Sequence, residues 1–444
     1  ATIDSLNLQY YPHWSVALVG PMPLLRPTSR LDRAAAALQA AGRLFYADGD
    51  SEAATLCTDL KEDDIVAPLV LGDLLPVYVL AVLADYALSH ADADLIYADE
   101  DSIDERGRYV DPELKPDWSP VFQLSQPYVG RAVYFRVAAV SRSPGLLAKD
   151  LPRADRLWAA SSAGVGKIGH IRRILLTKAG ATRRRKAGDS TAARPASTSC
   201  LTSSTAPGGA ACPAGPAEPY ATIIILTRDR ADLLGACLAS LAATQPPNFE
   251  LLIVDNGSEE AATLSLFKSL VADPRIHILR APGPFNFSEL CNRAAAMARG
   301  PILVFLNNDT VALRPDWLAG LARWAVRPEI GAVGAKLLYP SGRLQHGGIV
   351  VGLGGYAAHI QSEAPPDHSG YLGRLNVPHE VSAVTGACLA VEKAKFDAVA
   401  GFEVEKFPIE LGDVDLCLRL GARGWKTIFT PEVTLVHHES ATRG

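Results

Sequence analysis

A chain of 444 residues with 48% hydrophobic composition is too long for one ordinary core, so two domains of about 150 to 220 residues are expected. Its formal net charge of −5 provides no basic field that would draw the protein onto nucleic acid, and no nucleic-acid partner is expected. The seven cysteines include no CxxC pair and lie in apolar runs (Cys237, Cys388) or polar sequence (Cys200, Cys212), which excludes a disulfide framework and predicts reduced thiols.

The chain opens on polar residues without a basic stretch, so no signal peptide is expected at Ala1. The most apolar segment, Ile65 to Leu88, is interrupted by Asp73 and Asp85 and lacks the roughly 18 uninterrupted apolar residues that cross a bilayer. A soluble cytoplasmic protein is the expectation from both. Asp99, Glu100 and Asp101 follow the apolar strand DLIYA and have the composition of a metal cluster. The basic run Arg183, Arg184, Arg185 and Lys186 reads as the solvated end of a domain, with contact to anionic lipid headgroups as the alternative. From 187 to 218 the chain is Ala, Ser, Thr, Pro and Gly with almost no large apolar residue, the composition of a flexible linker. The expected divisions are therefore 1–186, 187–218 and 219–444.

Beyond Pro219, apolar runs at Ala221 to Thr227, Glu250 to Asp255, Arg275 to Leu279 and Pro301 to Leu306 alternate with helical patterns at Ala231 to Ala243 and Leu290 to Ala298. This alternation predicts βαβ units and a mainly parallel sheet. In such a sheet the ligand lies beyond the carboxyl ends of the strands. Three of these runs end in polar residues: Thr227-Arg228-Asp229, Asp255-Asn256-Gly257-Ser258 and Asn307-Asn308-Asp309.

Asp255 is placed either to accept hydrogen bonds from a base or ribose or to close an Asx turn. The Leu306 to Thr310 stretch offers hard oxygen ligands suited to Mg2+ or Mn2+ bridging a diphosphate, Asp309 first and Asn307 beside it; a polar turn ahead of a helix near Pro315 is the alternative. Gly352 to Gly355 neither follows the first strand nor fits GxGxxG, and reads as a turn. Farther on, Glu410, Asp413 and Asp415 open a predicted helix that stops at Gly424. Acids there suit the helix dipole, and Asp413 is also suited to removing a proton from an acceptor hydroxyl. The chain then forms an apolar strand ending in His437 and His438, either of which can ligate a metal through a neutral ring nitrogen.

Eight strings in this order carry a resemblance: IIILTRDR, LLIVDNGS, FNFSELCN, LVFLNNDT, GAVGAKLLYPSGRLQHGG, AVTGACLAV, GDVDLCLRLGARGW and HHESATRG. Through them residues 219–444 resemble the GT-A domain of family 2 glycosyltransferases, in particular the bacterial polysaccharide, O-antigen or rhamnosyltransferase-like group. The resemblance implies a nucleotide-sugar pocket at Thr227, Arg228, Asp255, Asn256, Asn286, Asn292 and Asn308. It implies Mn2+ or Mg2+ held by Asp309, Asn307, His437 and His438, with Asp413 as catalytic base and His346, Gly386 and Asp415 in the acceptor- and donor-facing loops. Two positions depart from the family pattern: Asn307, where the metal motif often opens with Asp, and Gly412, where Glu or Asn often precedes the base.

The chemistry implied is inverting transfer from a UDP- or dTDP-sugar to a hydroxyl of a cell-surface polysaccharide or lipid-linked glycan, in the cytoplasm or peripherally at the inner face of the membrane. The rival readings are a catalytically inactive sugar-nucleotide or polysaccharide binder of the same fold, and a nucleotidyltransferase. The latter needs a Gly-rich phosphate loop after the first strand, which LTRDRADLLG does not supply. Oligomeric state is left open.

The first half resembles the N-terminal GT-A domain of tandem family 2 enzymes through SLNLQYYPHWSVALVG, DADLIYADEDSIDERGR, ELKPDWSPVFQLSQPYVGRAVYFR and IGHIRRIL. No opening strand precedes Ser5, EDDIVAPLVLGDLL matches the metal strand only loosely, and the helix with the acidic base motif is missing between Ala148 and Gly166. The expected fold class is therefore α/β with two GT-A-like domains, Rossmann-like and of the nucleotide-diphospho-sugar transferase type, the N-terminal one incomplete and noncatalytic. The stop at Gly444 predicts that the chain is a fragment.

Overall fold

Two compact units, Ala1–Pro195 and Ala196–Gly444, make up the chain. The computed structural model describes residues 1–19, 30–47, 60–142, 167–179 and 220–438. The expected linker at 187–218, the basic run Arg183 to Lys186, most of the 148–166 interval and the chain beyond His438 lie outside the described residues.

In the first unit, strands β1 (Val16–Val19) and β2 (Leu44–Ala47) pair in parallel across the helix Arg30–Ala40. A second sheet holds β3 (Ile65–Val66), β4 (Ala93–Ile103), β5 (Tyr109–Glu113), β6 (Val133–Arg136) and β7 (Lys167–Ala179), in the order β3-β6-β4-β5 with β7 also on β4. Strand β4 is buried from Ala93 to Ser102, so Asp99, Glu100 and Asp101 lie inside the sheet rather than at an open strand end.

The charges of Asp99 and Glu100 are met by the protein itself, whereas Asp101 Oδ1 is buried without a hydrogen bond. Asp99 accepts the Lys115 backbone N–H at 2.8 Å, with His170 Nε2 at 3.2 Å. Glu100 lies between the Lys115 and Lys178 ammoniums, at 3.0 and 2.9 Å, and accepts the N–H groups of Arg131 and Ala132. Burial pushes the Glu100 carboxyl up, but the two lysines and the Ala132 N–H outweigh it and hold its pKa at about 2.

A folded value below the ordinary 4.5 means the ionised carboxylate adds stability at neutral pH and loses it as pH falls through about 2. Glu100→Gln leaves the fully buried Lys115 ammonium without its carboxylate partner. It is expected to cost about 3–5 kcal/mol, read as a lowered urea midpoint at pH 7. An unchanged midpoint would show that the pair contributes nothing.

The second unit follows the βαβ expectation for its first four long strands. Strands β8 (Ala221–Thr227), β9 (Phe249–Asp255), β10 (Ile276–Arg280) and β11 (Ile302–Asn307) pair in parallel, separated by helices Ala231–Leu241, Ala261–Leu270 and Phe287–Met297. Strand β8 is buried on both faces, as a central parallel strand between helical layers must be.

Beyond β11 the sheet becomes mixed, which corrects the expectation of a mainly parallel one. The remaining strands are β12 (Thr310–Ala312), β13 (Ile330–Leu338), β14 (Leu344–His346), the hairpin β15 (Ile349–Leu353) and β16 (Tyr356–His359), β17 (His379–Val381), β18 (Cys388–Glu392) and β19 (Lys426–His437). The main order is β10-β9-β8-β11-β18-β13-β19-β12, with β18 antiparallel to both neighbours and β13 parallel to β19. Antiparallel neighbours need no helical crossover, so the periodicity that predicts βαβ units carries no signal here. Gly352 to Gly355 forms the hairpin turn, with Gly354 and Gly355 at φ 63° and 86°.

The two units share a connectivity. Strands β4 and β13 each pair antiparallel with a short following strand (β5, β14), antiparallel with a later one (β6, β18) and parallel with the last (β7, β19). Strands β6 and β18 in turn pair antiparallel with β3 and β11.

Beneath the strand ends of the second unit, Phe287, Phe305, Phe396 and Phe402 pack at ring-centroid distances of 4.9 to 5.6 Å. Among the described residues Cys237, Cys291, Cys388 and Cys417 are free and buried, and burial pushes the Cys237, Cys388 and Cys417 thiols up to about 12. They serve as small core side chains, not nucleophiles.

Candidate functional site

The parallel register sets Thr227 opposite Asp255 and Asn307 opposite Leu226, so the polar ends of β8, β9 and β11 share one edge of the sheet. After β8 the chain turns sharply through Asp229 and Arg230, both in the left-handed region at φ 55° and 57°. Asp229 Oδ1 accepts the N–H groups of Glu259 and Glu260, each at 2.8 Å, and its own N–H donates to Ser258 Oγ. These bonds join the loop after β8 to the loop after β9.

Asp255 is 1% exposed and realises the Asx turn, accepting the Ser258 N–H at 2.7 Å. Its second oxygen accepts from the half-exposed Arg280 guanidinium at 2.7 Å, a partner that sequence reasoning missed. Asn256 donates to the carbonyls of Ala281 and Gly283, and its buried Oδ1 has no partner. Asn308 donates to Thr227 Oγ1 at 3.0 Å, which joins two of the polar ends. Arg228 is exposed beside them.

Two asparagines of the expected pocket are committed to backbone instead. Asn286 caps the helix Phe287–Met297 by accepting the Glu289 N–H at 2.9 Å, and donates to the Val404 carbonyl. Asn292 both donates to and accepts from Phe402 backbone, at 2.8 and 2.9 Å. Capping and segment-pinning account for both side chains.

The second edge of the site comes from the end of the described chain. Strand β12 follows the Asn308–Asp309 turn and pairs antiparallel with the last residues of β19, Thr310 opposite His437. Asp309, 5% exposed, thereby lies with Oδ1 3.1 Å from His437 Nε2, while its carbonyl accepts the His438 N–H at 3.0 Å. His437, not His438, carries its ring against Asp309. Asn307 Nδ2 also lies 3.1 Å from Nε2, and His437 Nδ1 is 2.7 Å from Gln345 Oε1.

Although His437 is near in distance, Asp309 Oδ1 is buried with no hydrogen bond. A buried, unsatisfied carboxylate oxygen beside an imidazole nitrogen and an amide fits a divalent cation. Among the described residues no three His, Cys, Asp or Glu side chains form a ligand cluster. Asp309 and His437, with Asn307 beside them, are thus the residues that could hold such an ion.

Asp413 lies in the first turn of the helix Gly412–Ala422, entered through Leu411 at φ 62°. Its Oδ2 accepts the Gly386 N–H at 2.7 Å and its Oδ1 the Val414 N–H at 2.8 Å. Burial raises the Asp413 pKa above the usual aspartate range, against the pull of the two N–H groups and His359. This makes the carboxylate a stronger base than a free aspartate.

Asp415, two residues on, points its charge elsewhere. It pairs with Arg419 at 2.7 Å, and Arg419 also donates to the carbonyls of Val399 and Gly401. His346 is fully buried, with Nδ1 2.9 Å from His359 Nδ1. Burial, then His359 and His437, holds its pKa well below the ordinary histidine value. His346 is therefore neutral, and the exposed His359 links it electrostatically to Asp413.

Residues 222–349 match the family described as Glycosyl transferase family 2. The sequence is 35% identical over 471 residues to "Uncharacterized protein y4gI" of Sinorhizobium fredii, covering 100% of this chain and 51% of that protein. It is 34% identical over 462 residues to "O-antigen biosynthesis protein RfbC" of Myxococcus xanthus, covering 99% of this chain and 36% of that protein. Over 248 residues it is 26% identical to "N-acetylglucosaminyl-diphospho-decaprenol L-rhamnosyltransferase" of Mycobacterium tuberculosis, covering 50% of this chain and 77% of that protein. The chain spans about half the length of the first of these relatives and about a third of the second.

Proposed function

The chain belongs to glycosyl transferase family 2 through residues 222–349, and from that premise we propose that residues 219–444 transfer a sugar, with inversion, from a UDP- or dTDP-sugar to a hydroxyl of a surface polysaccharide or lipid-linked glycan. The observation that carries this reading is the buried, unpartnered Asp309 Oδ1 facing His437 Nε2 at 3.1 Å, at the same sheet edge as Thr227 and Asp255.

Asp309 and His437 would hold Mn2+ or Mg2+, joined by Asn307 once its amide presents its oxygen in place of the Nδ2 that lies against His437 Nε2. Held there, such an ion would supply charge stabilisation for the leaving diphosphate. Thr227, Arg228, Asp255, Asn256 and Asn308 face the nucleotide. Asp413, oriented by the Gly386 N–H, takes the proton of the acceptor hydroxyl as that oxygen attacks the anomeric carbon. One displacement then suffices, without a covalent enzyme intermediate.

The names of the Myxococcus and Mycobacterium relatives support an O-antigen-like or prenyl-linked acceptor. Such an acceptor puts the enzyme in the cytoplasm, peripherally at the inner face of the membrane. Among the described residues no helix is long and apolar enough to cross a membrane. The first unit, in this reading, is a second GT-A-like domain without catalysis. The shared five-strand connectivity and the closure of Glu100 by Lys115 and Lys178 support that assignment.

The test is calorimetric titration of the full chain with UDP- and dTDP-sugars, with and without Mn2+, followed by transfer to a polyprenyl-diphosphate sugar acceptor. Metal-dependent binding of one donor with product formation is expected. Binding without turnover on any acceptor would favour an inactive sugar-nucleotide binder, and the absence of binding would remove the reading.

A further inference from the structure

We propose that Gln345 is a positioning residue that decides which nitrogen of His437 carries the proton, and so keeps the Asp309 side of the site open to a cation. The inference rests on the reading that Asp309 and His437 hold a divalent ion.

A neutral imidazole has one N–H and one lone pair, and its hydrogen-bond partners select between the two arrangements. Gln345 Oε1 is a carbonyl oxygen that can only accept, and it lies 2.7 Å from His437 Nδ1. The proton therefore sits on Nδ1. The lone pair of Nε2 then faces Asn307 Nδ2, which donates to it at 3.1 Å, and Asp309 Oδ1, also at 3.1 Å. In this arrangement of the neutral ring no proton lies between Nε2 and Oδ1, in keeping with an oxygen that accepts no hydrogen bond. Two electron-rich atoms held this close and out of water repel each other unless a cation joins them. With the proton on Nε2 instead, His437 would satisfy Asp309 itself and close the site.

The backbone is built to deliver Gln345 to this place. Strand β14 pairs with β13 through His346 opposite Leu337 and Leu344 opposite Leu338, so Gln345 is the extra residue between two adjacent pairs. A bulge of this kind re-aims one side chain and breaks the strict alternation of faces. All three residues of β14 are accordingly buried, Gln345 at 4% exposure. Strand β13 also carries β19 in parallel, Leu337 opposite Leu435, which brings the bulge to the end of β19 across 92 residues of sequence.

Mn2+ binding to the full chain, followed by electron paramagnetic resonance with saturating UDP or dTDP, tests the proposal. Gln345→Met keeps the length of the side chain and removes the acceptor; it is expected to weaken Mn2+ binding about 10- to 100-fold. Its nucleotide binding in EDTA should match the wild type, and its urea midpoint should fall by no more than the loss of one buried hydrogen bond, which separates lost orientation from lost folding. Gln345→Glu can still only accept at Nδ1 and is expected to bind Mn2+ at least as tightly as wild type. Wild-type affinity in Gln345→Met, or affinity in Gln345→Glu as weak as in Gln345→Met, would overturn the role of Gln345. A wild-type chain that binds nucleotide but no Mn2+ overturns instead the metal reading on which the role depends.

Discussion

Asp413→Asn is expected to lower kcat about 10²- to 10⁴-fold while leaving the dissociation constant of the donor within a few-fold of wild type. Asparagine has the same shape and can still accept the Gly386 N–H through its oxygen, which holds the loop, although its NH2 then replaces the oxygen that accepts the Val414 N–H. What it loses is the ability to take a proton. A variant that keeps its turnover, or that loses donor affinity in the same proportion, would remove Asp413 from the role of base.

The same carboxylate makes two statements about pH. Because burial raises its pKa, the acid limb of kcat/KM should lie above the range of an ordinary aspartate. Its folded-state value exceeds its unfolded one, so its contribution to stability is fully present below the unfolded pKa and is lost as pH rises through the folded pKa. At neutral pH the ionised group is therefore a burden on folding, and the melting temperature of wild type should rise as pH falls from 7 toward the unfolded-state pKa by more than that of Asp413→Asn. A residue retained for structure alone would show the opposite change.

Asp309→Ala is expected to abolish the Mn2+-dependent part of nucleotide binding and to reduce transfer by about three powers of ten, the loss of several kcal/mol of charge stabilisation. Its effect on folding should run the other way. Asp309 Oδ1 is buried without a donor, a state that costs roughly 1–3 kcal/mol. In EDTA the alanine variant should accordingly be at least as stable as wild type by urea unfolding. Loss of stability together with retained Mn2+ dependence would make Asp309 a structural residue and move the metal elsewhere.

Much of the sheet edge at Thr227, Asp255 and Asn307 was legible in the sequence because it depends on local pattern. The buried strand β8 and the polar residues after β8, β9 and β11 follow from hydrophobic runs and the rule that ligands lie beyond parallel strand ends. The other side depends on pairings between distant segments, which no local period encodes. Nothing near Asp309 announces that β12 will pair with β19, nor does LQHGG reveal that Gln345 is the bulged residue. Arg280 was missed because a basic residue at the end of an edge strand looks like ordinary surface until Asp255 is seen beneath it.

Asn286, Asn292 and Asp415 illustrate the reverse difficulty. Their positions in motif-bearing strings carry the expectation of ligand contact, yet each side chain holds a cap, the Phe402 segment or Arg419. Motif membership marks a residue as needed without saying for what. The acidic trio in β4 is similar: composition suggests a metal site, and only the three-dimensional placement of Lys115 and Lys178 shows the charge of Glu100 already answered.

The pairing of β12 with β19 also sets a timetable for synthesis. Asn307 and His437 are 130 residues apart, so a ribosome adding about 5–20 residues per second needs roughly 6 to 26 seconds to deliver the second after the first. Throughout that interval the parallel strands can fold with Asp309 lacking its partner imidazole. In the proposed reading, the nascent domain can acquire the sheet edge at Thr227 and Asp255 before the cation site, which is incomplete until translation has passed β19.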